Sequence, residues 1–165
     1  MKIQRSRAWL LFSKLLGSTI ISILQVYAFL LVAWVFDITL PGWGYVAVLP
    51  ALLLGGLMLG ALGLALSSFI KQLENFAGVM NFVIFPMFFL SSALYPLWKM
   101  AESSELLHDI CAANPFTHAV ELIRFALYVE VNGMALVWTT LATAVFMALA
   151  VWGYDPARGM MTRKG

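Results

Sequence analysis

Charge is what this chain has least of. Asp, Glu, Lys and Arg make up 11% of it, against roughly a quarter in an ordinary soluble domain, while hydrophobic residues make up 62%. A chain so composed cannot cover its own surface with polar groups, which argues against a soluble globular domain. The shortage is also uneven. Residues 15–36, 38–70, 75–98 and 131–154 carry no charged side chain at all. Each run is long enough to cross a bilayer core, which takes roughly 20 apolar residues in helical form. Buried helices of large soluble proteins are usually shorter and alternate with amphipathic ones.

Cysteine is nearly absent as well. Cys111 stands alone, so neither an intrachain disulfide nor a multi-cysteine metal site can form. His108 and His118 are separated by ten positions, and no HExxH spacing exists to make a helical zinc site. There is no Gly-x-x-x-x-Gly-Lys-Ser/Thr phosphate loop, so ATP hydrolysis by the usual P-loop is excluded. An intramembrane enzyme needs ionisable or nucleophilic groups converging at depth, and the runs offer only Gln25, Asn81 and scattered Ser and Thr. No catalytic residue, cofactor, metal or nucleic-acid partner is expected. A cleaved secretory signal is not expected either, because the first run exceeds a signal core and no small-residue cleavage site follows before Asp37.

The few charges that remain are informative. Lys2, Arg5, Arg7 and Lys14 precede the first run, Lys71 separates the second and third, and Arg158, Arg163 and Lys164 follow the fourth; only Lys99 and Arg124 fall between the third and fourth. Basic residues in short loops stay in the cytoplasm. The reading is therefore an all-α, polytopic membrane protein with four transmembrane helices and both termini cytoplasmic. It forms one transmembrane domain over 1–165, with spans at about 15–36, 46–70, 76–97 and 134–152. Its basic inner face suits anionic lipid or an acidic cytoplasmic partner.

The runs differ in character. The second contains Gly55, Gly56, Gly60 and Gly63, and the Gly56-xxx-Gly60 and Gly63-xxx-Ser67 pairs let another helix approach closely. On this reading the partner helix belongs either to this chain or to a second protomer. The third contains Pro86, which removes a helical hydrogen bond and permits a kink; it is the candidate gating residue.

The segment at about 100–128 is neither a span nor a plain loop. Its first part mixes Glu102, Glu105, His108 and Asp109 with Leu106, Leu107 and Ile110, as a helix lying on the outer surface would. Its second part opens with Asn114-Pro115, an N-cap followed by proline at the first helical position. From there Thr117, Glu121, Arg124 and Tyr128 form one polar stripe, in which Glu121 and Arg124 are spaced to pair. The expectation is a short amphipathic, re-entrant helix pair on the outer side.

At this point the residues carry a resemblance. Phe85-Pro86-Met87-Phe88-Phe89-Leu90-Ser91-Ser92-Ala93-Leu94-Tyr95-Pro96-Leu97, followed by Asn114-Pro115-Phe116-Thr117-His118-Ala119-Val120-Glu121-Leu122-Ile123-Arg124, resembles the signature region of the type 2 ABC exporter permeases. The resemblance implies a permease subunit of an ATP-driven exporter in the bacterial cytoplasmic membrane. It would be paired with itself or another permease chain and driven by separate ABC ATPase subunits. It implies that Asn114, Pro115, Thr117, Glu121 and Arg124 build the outer re-entrant helix and that Arg5 and Arg7 lie near the ATPase. Typical relatives have six spans, and this chain begins at the loop before their third, so a truncated form is expected. The alternative is a four-span scaffold or accessory subunit that does not transport.

Overall fold

A computed structural model describes residues 2–70 and 73–153, without the side chains of residues 2–8, 73 and 74. Among the described residues there are seven helices and no strand: α1 (Lys2–Val35), α2 (Gly44–Phe69), α3 (Leu73–Phe89), α4 (Leu97–Ser103), α5 (Glu105–Ala113), α6 (Pro115–Leu127) and α7 (Gly133–Gly153). Three stretches are long and apolar enough to cross a membrane: Trp9–Val35, Gly44–Phe69 and Gly133–Gly153. Their outward faces carry large apolar side chains such as Phe29, Trp34, Trp138 and Trp152. In a bilayer these faces are solvated by lipid, so their exposure carries no penalty.

Helix α2 is the hub. Val48, Ala51 and Leu52 of α2 form one buried cluster with Leu122 and Ala126 of α6 and Ala135 of α7. The glycines of α2 set how near its neighbours come. A methyl at Gly56 would lie 2.7 Å from Thr19 Cγ2, and one at Gly60 would lie 2.6 Å from Leu15 Cδ2, so these two face α1 of the same chain. Gly55 faces α6 instead, at Ile123 and Ala119, and Gly63 faces Met80 of α3 more loosely. At Gly44 a methyl would collide with the Leu127 carbonyl, which is backbone and cannot rotate away.

These contacts fix the helix directions. Thr19 meets Gly56 and Leu15 meets Gly60, so α1 and α2 are antiparallel. The start of α7 lies beside the start of α2, through Ala135 and Val48. Their ends also meet: Ser68 Oγ donates to the Ala150 carbonyl at 3.2 Å, and Phe69 and Trp152 pack edge to face at 6.1 Å. Helix α7 is thus parallel to α2, and the chain must travel the length of the bundle between them. Helix α3 begins that return.

The third predicted span, 76–97, is corrected to a helix that starts at Leu73 and stops at Phe89. The reason lies in its terminal carbonyls. Leu90 N donates to the Pro86 carbonyl, but the next acceptors are taken by side chains. Ser91 Oγ donates to the Phe88 carbonyl, and Asn114 Nδ2 donates to those of Met87 and Leu90. With these carbonyls occupied, no further turn is added. Seventeen residues make a helix of about 25 Å, short of the roughly 30 Å hydrocarbon core.

The expected outer helix pair is corrected to three helices. Ser104, in extended conformation, ends α4 and caps α5 by accepting from Leu107 N. Helix α6 ends with Glu130 N bonded to the Phe125 carbonyl and Val129 N to that of Ala126, a Schellman-type closure that needs a left-handed residue. Val129 occupies that position, at φ 64°. A β-branched side chain is strained there by about 1–2 kcal/mol. Val129→Gly is therefore expected to stabilise the protein by about 1 kcal/mol, read as a higher unfolding midpoint in detergent; a lower midpoint would contradict the strain.

Candidate functional site

The polar side chains of α6 converge on the end of α3. Asn114 is the N-cap of α6, its Oδ1 accepting from Phe116 N at 3.0 Å. Its Nδ2 donates to the Met87 carbonyl at 2.7 Å and the Leu90 carbonyl at 2.6 Å. One amide thus caps the start of α6 and the end of α3 together. One turn on, Thr117 Oγ1 accepts from Ser92 N at 3.2 Å. Arg124 divides its guanidinium: one nitrogen donates to Glu121 Oε1 at 2.6 Å, the other to the Ser92 carbonyl at 2.7 Å. Pro115 occupies the first helical position of α6.

This clasp is dry. Ser91, Ser92 and Thr117 are fully buried and Glu121 nearly so, which leaves its carboxylate dependent on Arg124. Of the polar stripe read from the sequence, Thr117 and Glu121 are buried, Thr117 against the Ser91-Ser92 turn and Glu121 beside Arg124. Tyr128 is the exception, exposed and outside the clasp. Pro86, inside α3, directly precedes Met87, whose carbonyl is part of the clasp.

Helix α6 is set deep. Leu127 lies against Gly44, while Ala119 and Ile123 lie against Gly55, so α6 runs antiparallel to α2. Gly55 is about 16 Å from Gly44 along the α2 axis at 1.5 Å per residue. The clasp therefore sits near the middle of the bundle, and α3 followed by α6 covers its length.

On the opposite flank of α6, Phe116, Ala119, Val120 and Ile123 face an apolar cavity of about 580 Å³ bounded by α1, α2, α3 and α6. Its two hydroxyls, Ser18 and Ser22, donate to carbonyls of their own helix, those of Leu15 and Ser18. His118 stacks on Trp138 of α7 at 5.6 Å. Cys111 is buried, which raises its thiol pKa.

Four of the residues singled out from sequence, Asn114, Thr117, Glu121 and Arg124, are thus brought together. Gly56, Gly60 and Gly63 lie apart from them on α2. Arg5 and Arg7 fall in the first turns of α1, where their side chains lie outside the described residues. Sequence reasoning missed the functional part of Ser91 and Ser92, which it placed inside a span. Their signal was the tendency of serine to compete for backbone hydrogen bonds at a helix end.

Among known families, the model described as ABC-2 type transporter matches residues 3–128. No curated protein and no solved structure matches the chain.

Proposed function

The chain belongs to the ABC-2 type transporter family, whose members are permease-type membrane subunits that pair with ABC ATPases, and on that premise we propose that it is the permease of an ATP-driven exporter. The observation that carries this reading is the joining of the two sequence motifs of the resemblance. The Pro86 region and the helix beginning at Asn114 are far apart in the chain and are held together by the clasp.

In the proposed topology both termini are cytoplasmic and α1, α2 and α7 each cross once. The fourth crossing is composite: α3 rises from the inner side, and α6, re-entrant from the outer side, meets it near mid-membrane. This accounts for a helix of α3's length in a crossing position and for polar side chains at depth, where unpaired groups are costly. The basic residues before α1, after α2 and after α7 then share the cytoplasmic side, as the positive-inside rule requires. Arg5 and Arg7 are proposed to contact the ATPase. The chain supplies one permease, which pairs with a second permease chain.

Affinity purification of the chain from its native membrane, with mass spectrometry of what accompanies it, tests the reading. An ABC ATPase is expected in stoichiometric amount. Recovery with membrane partners but no ATPase would favour the non-transporting scaffold and overturn the proposal. Substituting Arg5 and Arg7 together by Ala is expected to reduce ATPase recovery at least several-fold without loss of insertion; unchanged recovery removes those residues from the coupling surface.

A further inference from the structure

The cavity of about 580 Å³ between α1, α2, α3 and α6 has a floor and a mouth. Leu52 and Gly55 of α2 and Ala119 of α6 are buried at the floor, whereas Ser18 and Ser22 of α1 are exposed at the rim. Ser22 lies at the midpoint of Trp9–Val35, which crosses the bilayer in the topology proposed above. The mouth therefore opens at mid-membrane, among hydrocarbon tails. Nothing in the lining asks for water: both hydroxyls donate to carbonyls of their own helix, and every other lining side chain is apolar. Such a cavity stays dry, and left empty it would forfeit packing contacts along four helices. Gly55 adds to the space. A methyl there would make only ordinary contacts, 3.4 Å from Ile123 Cδ1 and 3.9 Å from Ala119 Cβ, unlike the collisions at Gly56 and Gly60. Glycine inside a helix costs stability relative to alanine, and at this position close helix approach does not require it.

We infer that the cavity is a lipid site, holding the tails of a membrane phospholipid that enter past Ser18 and Ser22. The dimensions select this occupant. The lining runs from Ser18 to Val26 on α1 and from Leu52 to Gly60 on α2, about 12 Å at 1.5 Å per residue. The mean cross-section is then about 50 Å². An α-helix 10–12 Å across needs about 80–110 Å², so a span of a partner protein can cover the mouth but cannot fill the interior. A hydrocarbon chain needs about 20 Å², given carbon contact distances of 3.5–4.0 Å, and two tails fit side by side. Bond lengths near 1.5 Å and angles near 111° give an advance of about 1.25 Å per carbon, so roughly ten carbons of each tail are housed. Because the mouth is at mid-membrane, the methyl ends are the part that enters. The inference rests on the proposed crossing of α1, and it holds whichever subunit drives transport.

Photo-crosslinking in the native membrane tests it. Cells producing the full chain are supplied with a fatty acid that bears a diazirine near its methyl end, which they build into their phospholipids. The membranes are irradiated, the chain is purified, and its adducts are mapped by peptide mass spectrometry. Phospholipid adducts are expected inside the cavity at Val120 and Ile123, as well as at the outward-facing Ile21 and Phe82. Ser22→Phe sets bulk in the mouth at an exposed position, and Ile84→Trp fills the interior from α3. Each is expected to lower the adducts at Val120 and Ile123 at least several-fold and to leave those at Phe82 unchanged. Ile21→Phe, which adds bulk outside the cavity, should change neither. Adducts confined to outward-facing residues, the result for a cavity shielded by a partner protein or filled with water, would overturn the inference. So would cavity adducts that neither Ser22→Phe nor Ile84→Trp reduces, or adducts with the mass of the free fatty acid alone. Absence of adducts at Ile21 as well would refute the crossing of α1 itself, and recovery of an ABC ATPase enters none of these readings, so failure of the lipid site is distinguishable from failure of the permease assignment.

Discussion

Arg124→Ala is expected to destabilise the protein by about 3 kcal/mol, because it strands a carboxylate that has almost no access to water. The Glu121 side chain is only 12% exposed, and Arg124 is its ion-pair partner among the described residues. The same substitution removes the donor to the Ser92 carbonyl, in a turn whose hydrogen bonds between Ser92 and Thr117 are buried. The full penalty for breaking a buried pair runs higher, but a third of the Arg124 side chain is exposed, and water entering its place moderates the loss. Two companion variants separate the contributions. Glu121→Gln in the Arg124→Ala background removes the stranded charge and should recover more than half of the loss. Arg124→Lys keeps the charge but lacks the planar fork needed to reach Glu121 and Ser92 together, so it should fall between. The measurement is the unfolding free energy in detergent. A change below about 0.5 kcal/mol for Arg124→Ala would place that residue among ordinary surface ion pairs.

Why this clasp was half legible beforehand follows from which atoms make it. Thr117, Glu121 and Arg124 announce themselves as a polar stripe on an apolar helix, because helical spacing is written in side chains. Their acceptors and donors are mainly backbone groups of Met87, Leu90 and Ser92, and every residue carries those groups alike. The stripe was therefore visible and its target was not. The third span failed for a related reason. Hydropathy stays high from Phe85 through Leu97, and nothing in apolar character marks a helix end; the end is set by Asn114, 25 positions beyond Phe89, through its bonds to two carbonyls. On α2 the glycines signalled close approach correctly, but three adjoining faces of one helix meet three partners. Gly56 and Gly60 meet α1, Gly55 meets α6 and Gly63 meets α3, a division that composition cannot encode.

Asn114→Asp should be as damaging as Arg124→Ala, although it changes one amide nitrogen to oxygen. The native amide needs both its halves: the oxygen caps α6 at Phe116 N, and the nitrogen serves the Met87 and Leu90 carbonyls. A carboxylate retains the cap and even favours the positive start of α6. It offers no donor to α3, however, and it sets a negative charge against two carbonyl oxygens at the negative end of that helix. Loss of two bonds and the added repulsion, offset in part by the better cap, come to about 3 kcal/mol at neutral pH. Asn114→Ala should lose the two bonds and the cap, about 1 kcal/mol for the cap alone, but without repulsion. The two variants are then distinguished by pH. One oxygen of the new carboxyl keeps the Phe116 N donor, which favours the charged form, but the other faces two carbonyl acceptors; with two acceptors set against one donor, its pKa in the folded protein should rise above the ordinary value near 3.9. A group raised on folding stabilises most below its unfolded pKa and loses that contribution as pH rises through its folded pKa. The stability of Asn114→Asp relative to Asn114→Ala should accordingly increase as pH falls from neutrality toward 4, since the protonated acid regains one donor. A difference that stays flat over that interval would mean that the amide nitrogen does not hold the end of α3, and the clasp would lose its principal bond.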